Sequence, residues 1–437
     1  MRNGSLILEE GAVRVSDHVR IRQEHFGGIV FHTSTGDTLE VDHGAYKLLT
    51  WLREIDAADI RPLLREKHIR TVLPVLLDTN TLEYHKISVT SETILPAFID
   101  DTQQSANSQT LLSAPETVHL AVTYRCYKSC PDCYARGHIS VAGPELDTAG
   151  MCCIIDTIAD NGVFQLAIGG GEPFARTDLC DIVCHAVQRG LVVHITTGQH
   201  AMKSKWVDTL RHIKSLHIGI QSEELINDAA MSEKLRILNE LDVPLGANLI
   251  LTRFTIQNIE KLTERLLACG FKRLIFLRYK PIADHERWNN ENPGGEELRR
   301  FNHWLARTKQ QYPRLMLRID CAAAFLMRDL EPQTAIHAGI RGCVAGERIL
   351  SVAPDGFVYP CSQLVGHAYL AGNLAKDSLK AIWHDSDVLR KYRSFRQNAS
   401  YVDSVCGRCD TNLFCGGCRV FANGCTGGEP FCPLDNL

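Results

Sequence analysis

The chain has 437 residues, 45% of them hydrophobic, and 47 lysines and arginines against 51 aspartates and glutamates give a net charge of −4. That length exceeds one ordinary core and predicts two or three domains, while the charge balance excludes the basic excess that a nucleic-acid partner demands. No apolar run approaches the roughly 20 residues of a spanning helix, Met1 to Glu10 lack a signal peptide's apolar stretch, and 17 cysteines are an odd count for a disulfide framework, so reduced, metal-ligating thiols in a cytoplasmic, non-membrane protein are expected.

Residues 19–32, with a polar turn at Ser34 to Asp37 and the return Leu39-Glu40-Val41-Asp42, read as paired strands. Tyr46, Leu48, Leu49, Trp51 and Leu52 predict a buried helix, Ile60, Leu63 and Leu64 a second, and Val72, Val75 and Leu76 a third, before a strand over Leu82 to Ile87. This order, with Phe26-Gly27-Gly28 as its clearest words, resembles the PqqD-like winged-helix element that captures the leader of a precursor peptide. The resemblance implies a leader-binding domain over residues 1–95. The Ser-, Thr-, Gln-, Asn- and Asp-rich run that follows predicts a linker at 96–115.

Strand candidates then begin near Val118, Phe164, Val192, Leu216, Leu245 and Leu274, separated by helical stripes such as Met151, Ile154, Ile155, Ile158 and Ile259, Leu262, Leu266, Leu267. Strands alternating with helices predict an α/β domain over 116–310, a partial (β/α)6 TIM-like barrel with its chemistry at the carboxyl edge. Cys152, Cys153, Cys180, Cys184 and Cys269 fall in helix-like stretches and read as small buried hydrophobes.

The first strand runs directly into Cys126, Cys130 and Cys133, spaced C-x3-C-x2-C, and the second ends in Gly169-Gly170-Gly171-Glu172-Pro173. Three thiolates hold three corners of a four-iron cluster and leave the fourth iron open, and glycines let a backbone approach a ligand closely. Together these motifs resemble the radical S-adenosylmethionine (SAM) superfamily over roughly residues 117–300. The resemblance implies that SAM chelates the open iron, that Gly170, Gly171, Glu172 and Pro173 hold its methionine end, and that reductive cleavage yields a radical that abstracts hydrogen. Thr197, Ser222 and Asn248, at or near later strand ends, are further SAM-binding candidates. The chain departs from the family pattern at Asp132, where an aromatic residue is usual, and after Ser222, where Glu223-Glu224 and Ile226-Asn227-Asp228 replace the usual Asp-Gly and arginine; Lys234 is a positional substitute.

Eight cysteines follow between 343 and 432, and Ile349 to Cys361 reads as a strand, a Pro354-Asp355-Gly356 turn and a returning strand that brings Cys343 and Cys361 together. By spacing alone the eight suit zinc or iron-sulfur clusters equally. Their order, with Gly356 and Cys361 matching G-x4-C and Cys406, Cys409 and Cys415 matching C-x2-C-x5-C, resembles the cysteine-rich SPASM extension of radical SAM peptide maturases, placed here at 311–437. The resemblance implies an inner auxiliary cluster on Cys343, Cys361 and Cys418, with Cys425 as first choice of fourth ligand, then Cys321 or an open iron. It implies an outer one on Cys406, Cys409, Cys415 and Cys432, making three [4Fe-4S] clusters in all.

These regions point to a maturase that binds a precursor peptide and oxidatively modifies its core, with a reductase, flavodoxin or ferredoxin as electron donor. The modification expected is a carbon-carbon, carbon-oxygen or thioether side-chain crosslink. Arg278, Tyr279 and Lys280, closing the sixth strand, are candidate substrate contacts. Two alternatives are a formylglycine-forming enzyme of the sulfatase-maturase kind and a non-enzymatic electron carrier.

Overall fold

The computed structural model describes residues 11–85, 111–127, 130, 133–135, 138, 143–198, 206–220, 229–281, 285–331, 335, 340–422 and 424–433. Asp132, Ser222, Glu223, Glu224, residues 226–228, the side chain of Lys234 and most of the expected linker lie outside the described residues. The chain divides into two compact units, Met1–Ser113 and Ala114–Leu437.

In the first unit β2 (Val19–Glu24), β3 (Gly27–His32) and β4 (Thr38–Asp42) form an antiparallel meander, and β1 (Ala12–Val15) pairs between β5 (Ala58–Asp59) and β6 (Leu82–His85). The turn into β3 requires Gly27, whose φ is 133° and where a Cβ would lie 2.2 Å from the Asp42 carbonyl carbon. Helix α1 (His43–Ile55) begins where the Asp42 carboxylate accepts from the Ala45 N–H at 2.8 Å, satisfying one unpaired amide of the first turn. Its Leu48, Leu49 and Leu52 pack with Ile60 and Leu63 of α2 (Ile60–Leu63) and Ile69, Leu73 and Leu76 of α3 (Lys67–Asp78). Val75, expected in this core, is 49% exposed. The buried stripe of α3 recurs at i, i+4 and i+7 from Ile69, which turns Val75 outward.

The second unit is built on one ten-stranded sheet. Its strands are β7 (Thr117–Thr123), β8 (Gln165–Gly170), β9 (Val192–Thr197), β10 (Ser215–Ile220), β11 (Leu245–Leu251), β12 (Arg273–Arg278), β13 (Met316–Ile319), β14 (Ile349–Val352), β15 (Phe357–Tyr359) and β16 (Gly372–Asn373). The order is β13-β12-β11-β10-β9-β8-β7-β14-β15-β16, parallel from β13 to β14 and antiparallel beyond. All six expected strands are present. The strand and return expected about the Pro354-Asp355-Gly356 turn are β14 and β15, and the structure adds β13, a four-residue strand too short for periodicity to mark.

The two faces of this sheet differ. One carries Leu120, Ile168, Ile195, Ile218, Leu249 and Phe276, all buried, while α4 (Thr148–Asp160) and α5 (Leu179–Gln188) bury stripes of their own. On the other face the register aligns His119, Ala167, His194 and Ser215, then Thr196, His217 and Gly246, with Asn248 beside Gly219. Small and polar side chains on one face of a parallel sheet leave room and hydrogen-bonding groups that an apolar layer would fill.

The five cysteines expected in the core are not there: Cys153 is exposed, and Cys152, Cys180, Cys184 and Cys269 are half-buried. On α4 the buried positions are Met151, Ile154, Ile155 and Ile158, and on α5 Leu179, Ile182, Val183 and Ala186, so Cys152, Cys153, Cys180 and Cys184 fall off the stripes. Cys269 is the C-cap of Ile259–Ala268. No helix among the described residues is long and apolar enough to cross a membrane.

Candidate functional site

The loop leaving β7 carries Cys126, exposed, and Cys130 and Cys133, half-buried. The end of β8 is bonded to the start of that loop. Thr123 pairs with Gly170 across a register shift, the Gly171 N–H donates to the Thr123 carbonyl at 2.8 Å, and the Glu172 N–H donates to that of Arg125 at 2.9 Å. Gly170 has a φ of 106°, and a Cβ on Gly171 would lie 2.5 Å from the Arg125 carbonyl oxygen. These two glycines are what lets the second strand's turn lie against the first cysteine's backbone.

Glu172 is 2% exposed, and its carboxylate accepts from the Thr197 hydroxyl at 2.8 Å, the Gly198 N–H at 3.0 Å and the Phe174 N–H at 3.2 Å. Glu172 and Thr197 are thus brought together, and Pro173 opens the 3-10 turn Pro173–Ala175. Asn248 sits two strands away on the polar face, where its buried Oδ1 lies beside the His217 imidazole, a polar group at the edge where SAM is expected.

Sequence reasoning missed the residues that brace this loop. Glu145 accepts from the Thr123 hydroxyl at 2.7 Å and the Tyr124 N–H at 2.9 Å. Buried Arg176 donates to the carbonyls of Val122 and Leu146 at 2.8 and 3.1 Å and, through two nitrogens, to Asp178, whose carboxyl it holds well below the usual range. On the polar face the Ser215 hydroxyl bridges His194 Nδ1 at 2.7 Å and His217 Nε2 at 2.9 Å. Burial pushes these imidazoles down to about 3 and about 4, so both are neutral at pH 7.

In the C-terminal segments Cys343, Cys406 and Cys418 are buried, and Cys361, Cys409, Cys415, Cys425 and Cys432 half-buried. Cys343 and Cys361 pack with Leu364, Tyr392 and Cys425; Cys406 packs with Phe395, Tyr401 and again Cys425. Cys418 instead meets Tyr279, Trp288, Ala322 and Phe421. Burial pushes the Cys361 and Cys415 thiols up to about 11 and that of Cys418 to about 12. Cys321 is raised as well, by burial and then by the charges of Asp320, Cys343 and Cys418, which sets it among the inner thiols. Cys321 is nonetheless exposed to solvent. A cation replacing these protons gains a soft, enclosed donor set, the chemistry that iron-sulfur clusters require. Among the described residues no group of three His, Cys, Asp or Glu is arranged around a single metal ion; a cubane's thiolates bind different irons and need not converge on one point.

The three residues closing β12 are all engaged with protein. Arg278 donates to the Ala322 carbonyl at 3.0 Å and the Phe431 carbonyl at 2.9 Å. The Tyr279 carbonyl accepts from Trp288 Nε1 at 3.0 Å, and Lys280 is ion-paired with Asp320. Burial alone would lower the Lys280 pKa, but the Asp320 carboxylate outweighs it and raises it.

Residues 343–410 match the SPASM iron-sulfur cluster-binding domain. The AdoMet-dependent heme synthase of Methanosarcina barkeri is 25% identical over 354 residues, 74% of this chain and 97% of its own. The PqqA peptide cyclase of Granulibacter bethesdensis is 25% identical over 340 residues, 72% of this chain and 86% of its own. Streptococcus suis SuiB bound to S-adenosylmethionine, 18% identical, shares the fold with a TM-score of 0.70 over 96% of this chain and 99% of SuiB. With precursor peptide SuiA bound, SuiB matches with a TM-score of 0.66. By its cysteine motifs, its SPASM segment and these relatives, the chain is similar to radical SAM enzymes that carry a SPASM domain.

Proposed function

We propose that the enzyme captures the leader of a ribosomally made precursor peptide with its N-terminal residues 1–95, a winged-helix-like recognition domain, and oxidatively crosslinks side chains of the peptide's core. The observation that carries this reading is the extent of the SuiB likeness, which spans 96% of the chain and therefore includes the N-terminal unit, in a protein whose structure also holds its precursor peptide. The PqqA peptide cyclases among the relatives point to peptide chemistry as well. In the N-terminal unit β2 and β4 are the edges of their sheet, and an edge strand accepts an extended peptide through main-chain hydrogen bonds.

Cys126, Cys130 and Cys133 hold the SAM cluster in this reading, with Gly170, Gly171, Glu172, Pro173, Thr197 and Asn248 around SAM. The C-terminal thiols hold two auxiliary [4Fe-4S] clusters, and a flavodoxin or ferredoxin delivers the electron. When bound, the first cluster and SAM supply the one-electron chemistry that starts hydrogen abstraction. The protein's own part is placement. Glu172 ties the glycine turn to β9, Asn248 offers a polar group, and the polar face of the sheet leaves space for the reacting segment.

Reconstituted enzyme given SAM and dithionite should release 5'-deoxyadenosine; none, with or without peptide, would sink the reading. Removal of residues 1–95 should abolish leader-peptide binding measured by fluorescence anisotropy, and unchanged affinity would place the leader elsewhere.

A further inference from the structure

Cys406 and Cys418 belong to different cysteine sets, and one residue touches both. The Glu429 N–H donates to Cys406 Sγ at 3.2 Å, while its carboxylate Oε2 accepts from the Cys418 N–H at 2.8 Å. The other carboxylate oxygen lies 2.5 Å from Arg278 Nη2. Both side chains are enclosed, with Glu429 5% and Arg278 8% exposed. Arg278 spends its remaining bonds on the carbonyls of Ala322 and Phe431, the sequence neighbours of Cys321 and Cys432. Its guanidinium lies 3.9 Å from the Phe421 ring centroid. Gly417 permits the approach: its φ is 75°, and a Cβ there would lie 3.0 Å from Cys406 Sγ and 3.1 Å from Glu429 Cβ.

A charge pair this deep is dear to desolvate, and packing alone does not require it. Inside a low-dielectric region a full charge acts strongly on any neighbouring charge, and the potential of an iron-sulfur cluster follows its net charge and the hydrogen bonds to its sulfurs. We propose that the Glu429–Arg278 pair sets the reduction potentials of both auxiliary clusters, and so how readily they take an electron from the substrate. The Glu429 carboxylate disfavours the more negative, reduced state and lowers a nearby potential; the Arg278 guanidinium raises it. Both residues reach both sets, Glu429 by contacting Cys406 and Cys418 directly and Arg278 through the carbonyls beside Cys321 and Cys432.

The inference rests on reading both C-terminal sets as four-iron clusters, and its test separates the two. In a Cys126→Ala background, where only C-terminal signals remain, the auxiliary potentials are measured by EPR-monitored redox titration. Glu429→Gln keeps the N–H to Cys406 and an amide oxygen for Cys418, removing only charge; it should shift the potentials upward. Arg278→Gln should shift them downward, and Arg278→Lys should leave them near the parent. Shifts of opposite sign in the two charge-removing variants support the pair as a setter of these potentials, whereas unchanged potentials, or shifts of the same sign in both, overturn it. Where Glu429→Gln loses iron, the Arg278→Gln against Arg278→Lys comparison decides in the same way. A parent protein with fewer than two C-terminal clusters by iron and sulfide analysis instead refutes the cluster reading.

Discussion

The loop that carries Cys126, Cys130 and Cys133 leaves Cys126 exposed, whereas the C-terminal segments bury Cys343, Cys406 and Cys418 among aromatic and aliphatic side chains. The first set is held by backbone, through a glycine turn with hydrogen bonds to Thr123 and Arg125. The second is held by side chains, through Glu429, Arg278 and the Lys280–Asp320 pair. A thiol set that must offer an open corner to a ligand has to lie at an accessible strand end. A set that only stores or passes electrons is better enclosed, where solvent is excluded and potentials respond to nearby charges.

The largest expected effect breaks the comparison at its first member: Cys126→Ala should reduce SAM cleavage to background in a 5'-deoxyadenosine assay while auxiliary iron content is unchanged. Loss of the C-terminal iron in that variant would show that the two regions are not separate sites. Next, Lys280→Met leaves the Asp320 carboxylate buried without its cation, a change that costs about 3–5 kcal/mol; the midpoint of denaturant unfolding should fall accordingly. Gly171→Ala forces a Cβ against backbone atoms that cannot yield, so the SAM concentration for half-maximal cleavage should rise at least about tenfold, ~1.4 kcal/mol, again with auxiliary iron intact. The mildest test is chemical. In the metal-free chain iodoacetamide should label Cys126 ahead of Cys418, whose thiol is buried and pushed up to about 12, as read by mass spectrometry; simultaneous labelling would remove the distinction.

Much of this was legible in the residues. Strong periodicity located all six strands that begin near Val118, Phe164, Val192, Leu216, Leu245 and Leu274, because each carries a run of buried apolar side chains. β13 escaped, since its four residues carry no measurable period, whereas the Pro354-Asp355-Gly356 turn marked β14 and β15. Val75 and the helix cysteines were misjudged for a related reason: composition names an apolar residue, but the phase of the helix decides which way it faces. Glu145 and Arg176 left no signal, being single charged residues whose partners, the Thr123 hydroxyl and Tyr124 N–H for one and the Val122 and Leu146 carbonyls for the other, are brought close only by folding.

Local order in the chain was enough to specify the thiol spacings, the glycine turn and the alternation of strand and helix, because these depend on neighbours within a few residues. Folding was needed to show that Glu429 bridges Cys406 to Cys418, that Arg278, 151 residues earlier in the chain, closes on it, and that His194, His217 and Asn248 share one face. Those relations come from register and burial, in which each contact depends on the sheet that brings distant segments together.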